Sequence, residues 1–209
     1  MSAQRRPEFQ AEPAPLAEAS DEVLMVRVAE GDSGAYETLY QRYKSRILTF
    51  VMRYVGDRDW AEDLCQETFL RLYRNPRAFD PRNRFSTWLF TVARNLAIDF
   101  LRRKRPATSI DAGEDGDYRI EPAGPEAERP VDRTLMRELE RRVQDNLNAL
   151  SDKLREVFIL CAMQGLSYEE VAQIVGCPAK TVSSRLARAR ERFAQSFDPY
   201  LAGKERRKP

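Results

Sequence analysis

Tyr36, Leu39, Tyr40, Tyr43, Ile47, Phe50, Val51 and Tyr54 recur three and four residues apart, and this spacing constrains the fold more than any other feature of the chain. Side chains at such intervals share one stripe of an α-helix, whereas a strand needs a period of two. No stretch of the chain alternates in that way. Before this helix, "DEVLMVRVAEG" predicts a short one stopped by Gly31, and Asp32 or Ser33 can cap the long one. Gly56 and Asp57 break the long helix and start a third that reaches about Asn75. "NPRAFDPRNRF" reads as a loop with two prolines. A fourth helix is expected from about Ser86 to Lys104, stopping before Pro106.

Residues 106–131, "PATSIDAGEDGDYRIEPAGPEAERPV", change the composition sharply. Between Pro106 and Pro130, seven acidic residues face two arginines. Such a stretch cannot bury enough apolar surface to fold by itself and is expected to be a flexible linker. From Asp132 helices resume. Leu135, Leu139, Val143, Leu147 and Leu150 mark one. Ser151 is expected to cap the next, with Leu154, Val157, Phe158 and Cys161 inward and Gly165 at its end. The expected fold is all-α: two helical domains, 21–105 and 132–200, on an acidic tether. A mobile tail is expected at 1–20 and a basic one at 201–209.

Composition narrows the chemistry. The 209 residues hold 35 Lys and Arg against 33 Asp and Glu, a net charge of +2, so the placement of charge matters and its sum does not. There is no histidine, which removes His-based acid–base catalysis, Ser-His-Asp triads and His-containing zinc sites. Cys65, Cys161 and Cys177 form no CxxC pair and are expected as small buried residues in a reducing cytoplasm. No apolar run approaches the ~20 residues of a membrane span. The N-terminal residues lack the apolar core of a signal peptide. No catalytic cluster, metal site, cofactor motif or small-molecule substrate is expected.

"LSYEEVAQIVGCPAKTVSSRLARARERF", residues 166–193, carries a different message. Ser167 and Glu170 make an S-x-x-E capping box, and Leu166 can staple onto Val171. These fix a short helix, Tyr168 to Val175. Gly176 turns the chain, and Cys177 and Pro178 open the next helix. Two helices so tightly joined form a helix-turn-helix. In the second, Val182, Leu186, Ala189 and Phe193 face inward. Ser183, Ser184, Ala187 and Arg188 are placed to meet base edges in a major groove; Lys180, Thr181, Arg185 and Arg190 suit phosphates. From Pro178 to Pro209, nine basic residues oppose three acidic ones.

The first block asks for other partners. The helix from Asp57 buries Ala61, Leu64, Cys65, Thr68 and Leu72. Its outer stripe is Asp59, Asp63, Gln66, Glu67, Leu70 and Arg74. Acid there repels DNA, and a Leu ringed by Asp, Gln and Glu suits a protein-docking face. On the following helix, Thr87, Thr91, Arg94, Asn95, Ile98 and Arg102 share a stripe that should stay free between two apolar flanks. Trp88 belongs to the apolar face. Between Arg71 and Arg105, ten basic residues oppose two acids, a second nucleic-acid footprint. In the loop before it, Phe79 can stack on an unpaired base, while Phe85 reads as an anchor to the core.

"AEDLCQETFLRLYRN", "FSTWLFTVARNLAIDFLRRKRP" and the helix-turn-helix, in this order, resemble the sigma-70 family, most closely its extracytoplasmic-function (ECF) group, which keeps only the second and fourth sigma domains. The resemblance implies a transcription initiation factor and no enzyme. It implies that Asp63, Gln66, Glu67 and Leu70 dock on the largest subunits of core RNA polymerase. It further implies that Arg94, Asn95, Ile98 and Arg102 read the promoter −10 element, with Phe79 in the loop that holds a flipped base. The helix-turn-helix would read the −35 element as duplex, although Ser183 and Ala187 are small where relatives often carry larger side chains. The acidic linker would follow the RNA-exit path, and an anti-sigma factor would be a further partner. Two other readings are a stand-alone helix-turn-helix regulator, which would bind DNA tightly as a dimer without polymerase, and a helical protein-interaction adaptor with incidental basic faces, which would bind DNA weakly and without regard to promoter sequence.

Overall fold

The computed structural model describes the backbone of residues 15–104 and 131–205, with side chains outside 131–135 and 196–205. The described residues form eight α-helices and no strand. The helices are α1 (Asp21–Ala29), α2 (Ser33–Val55), α3 (Arg58–Arg74), α4 (Phe85–Lys104), α5 (Val131–Asn148), α6 (Asp152–Phe158), α7 (Tyr168–Val175) and α8 (Ala179–Glu205). None of the described helices is long and apolar enough to cross a membrane. The expected linker at 106–131, all but Val131, and the outermost tails, 1–14 and 206–209, lie outside the described residues.

The helix starts follow from their capping residues. The Ser20 hydroxyl accepts from the Val23 N–H at 3.3 Å. The Asp32 carboxylate accepts from the N–H groups of Gly34 and Ala35 at 2.9 and 3.0 Å. Gly56, at φ +78°, ends α2 in the left-handed conformation that a side chain would strain. Residues 15–20, expected in the N-terminal tail, are held in place. Arg42 donates to the carbonyls of Ala17 and Ala19 and pairs with Asp21 at 2.6 Å, which pins residues 15–20 to α2. At the other end, α8 continues through residues 201–205.

α2 is the spine of the first block. Leu39, Ile47, Phe50 and Val51 are wholly buried, and Phe50 meets Phe90 of α4 edge-on at 5.6 Å. α3 and α4 pack on it, with Leu72, Phe85, Leu89 and Phe90 inside. In the second block, Leu147, Val157, Leu160, Val171, Val182 and Ala189 form the centre, and Phe158 stacks on Phe193 at 4.7 Å.

Several expectations need correcting. α6 is not one helix to Gly165: it widens into a π-type turn over Ile159–Met163, and both Ile159 and Leu160 are buried. Ser151 holds an N-cap backbone conformation, but its side chain makes no capping bond. The apolar stripe of α5 is covered only near its end, since Leu147 is buried but Leu139 is 42% exposed. Cys161 and Cys177 are half-buried; only Cys65 is fully inside. Most importantly, the two blocks touch. α7 packs on α4, and α5 meets α2.

Candidate nucleic-acid interface

Three surfaces carry the residues singled out by sequence. The first is the outer side of α3. Ala61, Leu64, Cys65, Thr68 and Leu72 are buried, so the opposite stripe faces outward. Asp63, Gln66 and Leu70 are exposed there, and Glu67 is half-exposed, pairing with Arg71 at 3.1 Å. Leu70 stands 41% exposed among these polar groups. Tyr73 also lies open at 61%, edge-on to Tyr36. Sequence reading passed over Tyr73 because an aromatic next to the buried Leu72 looks like core.

The second surface is the helix-turn-helix. The Ser167 hydroxyl accepts from the Glu170 N–H at 3.2 Å, and the Glu170 carboxylate accepts from the Ser167 N–H at 2.9 Å, the complete capping box. Gly176, at φ +71°, makes the turn. Val182, Leu186 and Ala189 are buried, which turns Lys180, Ser183, Ser184, Ala187, Arg188 and Arg190 to solvent. Thr181 and Arg185 are half-exposed on the flank. The Ser184 hydroxyl donates to the Thr181 carbonyl, and one Arg185 nitrogen lies 3.7 Å from the Cys177 sulfur. The face that a major groove would meet is thus fully presented.

The third surface, the stripe on α4, is only partly free. Asn95 and Arg102 are exposed and Ile98 is half-buried. Arg94, however, pairs with Glu156 of α6 at 2.8 Å, with only 18% and 5% of the two side chains exposed. Thr87, expected on the free stripe, is buried. Phe79 is buried too, edge-on to Phe85 and Trp88. In this arrangement it lies in the aromatic cluster of the loop, with 6% of its surface exposed where Phe85 has none.

The contact that covers Arg94 joins apolar packing, since the buried residues of the two blocks form one cluster, to a set of polar links. Arg84 and Ser86 reach the Glu170 carboxylate at 3.3 and 3.2 Å. Arg46 donates to the Gln164 carbonyl at 3.0 Å. Arg155 has no exposed surface, yet it donates to the carbonyls of Leu147, Asn148 and Leu150 at the end of α5 and to Tyr54 of α2. A buried guanidinium is tolerated because those carbonyls are the ones a helix end leaves without partners. Burial holds the Glu156 carboxyl above the usual carboxylate range, against the pull of Arg94. For Glu170, burial pushes upward, but the Ser167 bonds and the nearby Arg84 carry it below the usual value. Sequence reading missed Arg155 and Glu156 because charged residues on a short helix look like its solvent side. Their burial needs a second block to cover them.

Known proteins share these parts. Residues 39–107 match the family model for Sigma-70 region 2, and residues 140–193 match that for Sigma-70, region 4. The chain is 36% identical over 185 residues to the ECF RNA polymerase sigma-E factor of Escherichia coli, covering 87% of this chain and 96% of that one. It is 35% identical over 189 residues to the RNA polymerase sigma-H factor of Pseudomonas aeruginosa, covering 89% and 98%. Among solved structures, CnrH in complex with the cytosolic domain of CnrY aligns at a TM-score of 0.65 and 27% identity, over 87% of this chain and 99% of that one. The sigma factor RpoE of Bartonella quintana, in complex with the anti-sigma factor NepR, aligns at 0.60 and 26% over 78% and 96%.

Proposed function

Because the chain belongs to the sigma-70 family, in its ECF group of transcription initiation factors, we propose a division of labour among its three surfaces. Asp63, Gln66, Glu67 and Leu70 on α3 dock on the largest subunits of core RNA polymerase. Arg94, Asn95, Ile98 and Arg102 on α4 meet the −10 strand. On α8, Ser183, Ser184, Ala187 and Arg188 meet −35 base edges, while Lys180, Thr181 and Arg185 hold the backbone. In domain terms, 21–105 is sigma domain 2 and 132–200 is sigma domain 4.

The observation that carries this reading is the pairing of opposite surface chemistries on one chain: an acidic, Leu-bearing ridge on α3 and an exposed small-and-basic face on α8. Acid beside phosphate is repelled, so the α3 ridge suits a protein, whereas the α8 face suits a groove. Opening the −10 region would proceed by capture of an unstacked strand, which costs a few kcal/mol per flipped base and needs no nucleotide hydrolysis. On this reading the chain performs no reaction of its own; it works in the cytoplasm and takes no cofactor. An anti-sigma factor is a further partner, supported by the solved RpoE of Bartonella quintana, which is held in complex with the anti-sigma factor NepR.

Run-off transcription with purified core polymerase on a genomic promoter library tests the proposal. Discrete start sites that depend on the chain are expected. Tight, dimeric and polymerase-independent promoter binding would instead make it a stand-alone regulator.

A further inference from the structure

The covering of α4 around Arg94 has a specific occupant, the other half of the same chain. Resting on the reading of α4 as the −10 face, we propose that the free chain is self-closed: α6 and α7 cover the part of the promoter-facing stripe of α4 around Arg94, leaving Asn95 and Arg102 exposed, Glu156 takes the place of DNA at Arg94, and full −10 binding requires this seat to be vacated.

Four independent contacts place the seat. Glu156 pairs with Arg94 in the middle of the stripe. The Glu170 carboxylate engages Arg84 and Ser86 at its start. The Gln164 carbonyl accepts from Arg46 behind it. Arg155 ties the end of α5 to Tyr54 of α2. In two of the four, Glu156 and Glu170, a carboxylate faces an arginine that would otherwise be available to a phosphate. Anion and nucleic acid therefore compete for one cationic surface.

The seat is also built to be left. Its ion pair contributes little net attraction, because taking a carboxylate and a guanidinium out of water offsets most of it. Burial raises the proton affinity of Glu156, so desolvation outweighs Arg94 there. The Thr87 hydroxyl, on the same stripe, is buried with no hydrogen-bond partner. The α8 face stays exposed in the closed form, so closure masks one DNA surface and leaves the other open.

The test uses the full chain with Asn83→Cys and Gln173→Cys, two positions that line one cleft between the loop before α4 and α7. Cys177→Ser removes a native thiol. Cys65 and Cys161 stay, since burial pushes both thiols up to about 11 and leaves almost no thiolate at neutral pH. A short, disulfide-containing bismaleimide is the probe. The free chain is expected to cross-link internally. Glu156→Lys, which sets a cation against Arg94, is expected to slow this at least ~10-fold, and the charge-swapped pair Arg94→Glu with Glu156→Lys to restore it. The locked chain should lose run-off transcription and regain it when the linker is reduced. Absence of the cross-link, an unchanged rate in Glu156→Lys, or full activity of the locked chain would each overturn self-closure. The locking arm needs no destabilising substitution, so it stands even where Glu156→Lys weakens α6. An unlocked chain that never initiates would count against the proposed function, whereas the cross-link reads closure without polymerase.

Discussion

α4 and α8 are both long helices with basic, polar outer faces, yet one is partly covered and the other is bare. Arg188 on α8 projects into solvent, while Arg94 on α4 is held by Glu156 with 18% of its side chain exposed. The residues themselves do not differ enough to explain this. Their surroundings do: the inner face of α8 packs within its own block, whereas α4 offers its stripe to a neighbouring block that carries two acids. A DNA-facing helix is therefore not defined by its own sequence alone. What sits opposite it decides whether it is presented.

The comparison can be sharpened first at the surface that neither DNA helix provides. Glu67→Lys on α3 is expected to abolish capture by core polymerase in a pull-down, with the helical circular dichroism signal unchanged. Retained capture would move the docking face elsewhere. Next in size is Arg155→Ala, which removes the fully buried guanidinium and orphans carbonyls on α5 and α2. Urea unfolding should show a loss of about 3–5 kcal/mol. A loss below about 1 kcal/mol would mean that water takes over those carbonyls and that the blocks part easily.

The DNA helices separate further by single substitutions. Arg188→Ala should weaken −35 recognition by about 1–3 kcal/mol if the side chain makes a bidentate base contact, measured by binding of holoenzyme to promoter variants. Unchanged sequence preference would assign Arg188 to the backbone. Asn95→Ala should lower initiation at chosen promoters without weakening polymerase binding, because Asn95 is exposed on α4 and distant in role from the α3 ridge. Equal activity would clear it. The smallest effect is expected at Ser167→Ala, which breaks the capping box of α7 and should cost about 1 kcal/mol in thermal or urea unfolding.

Much of the helix layout was legible in the sequence, for local reasons. The three-and-four spacing of Tyr36 to Tyr54 set α2, and the Ser167–Glu170 box with Gly176 set α7 at its observed bounds. The sidedness of α3 and α8 was equally legible, because Ala61, Leu64 and Leu72, and Val182, Leu186 and Ala189, fall on single stripes. What escaped was non-local. Phe79 read as a free aromatic in a basic loop, yet it lies among Phe85 and Trp88, whose convergence requires the folded loop. The stripe of α4 read as free because periodicity sees one helix at a time. Glu156 and Arg155 carry no local signal of burial for the same reason. The extra residue in the π-type turn at Ile159–Met163 also left no mark, since both helical periods place Ile159 and Leu160 near the core.

The most direct measurement is arginine-specific labelling of the free chain with phenylglyoxal, read by mass spectrometry at each site. Arg102 and Arg188, both exposed, should react readily, whereas Arg94 should be protected and should gain reactivity in Glu156→Lys. If Arg94 reacts as fast as Arg188 in the unmodified chain, the middle of α4 is as open as α8, and the contrast between the two helices is wrong.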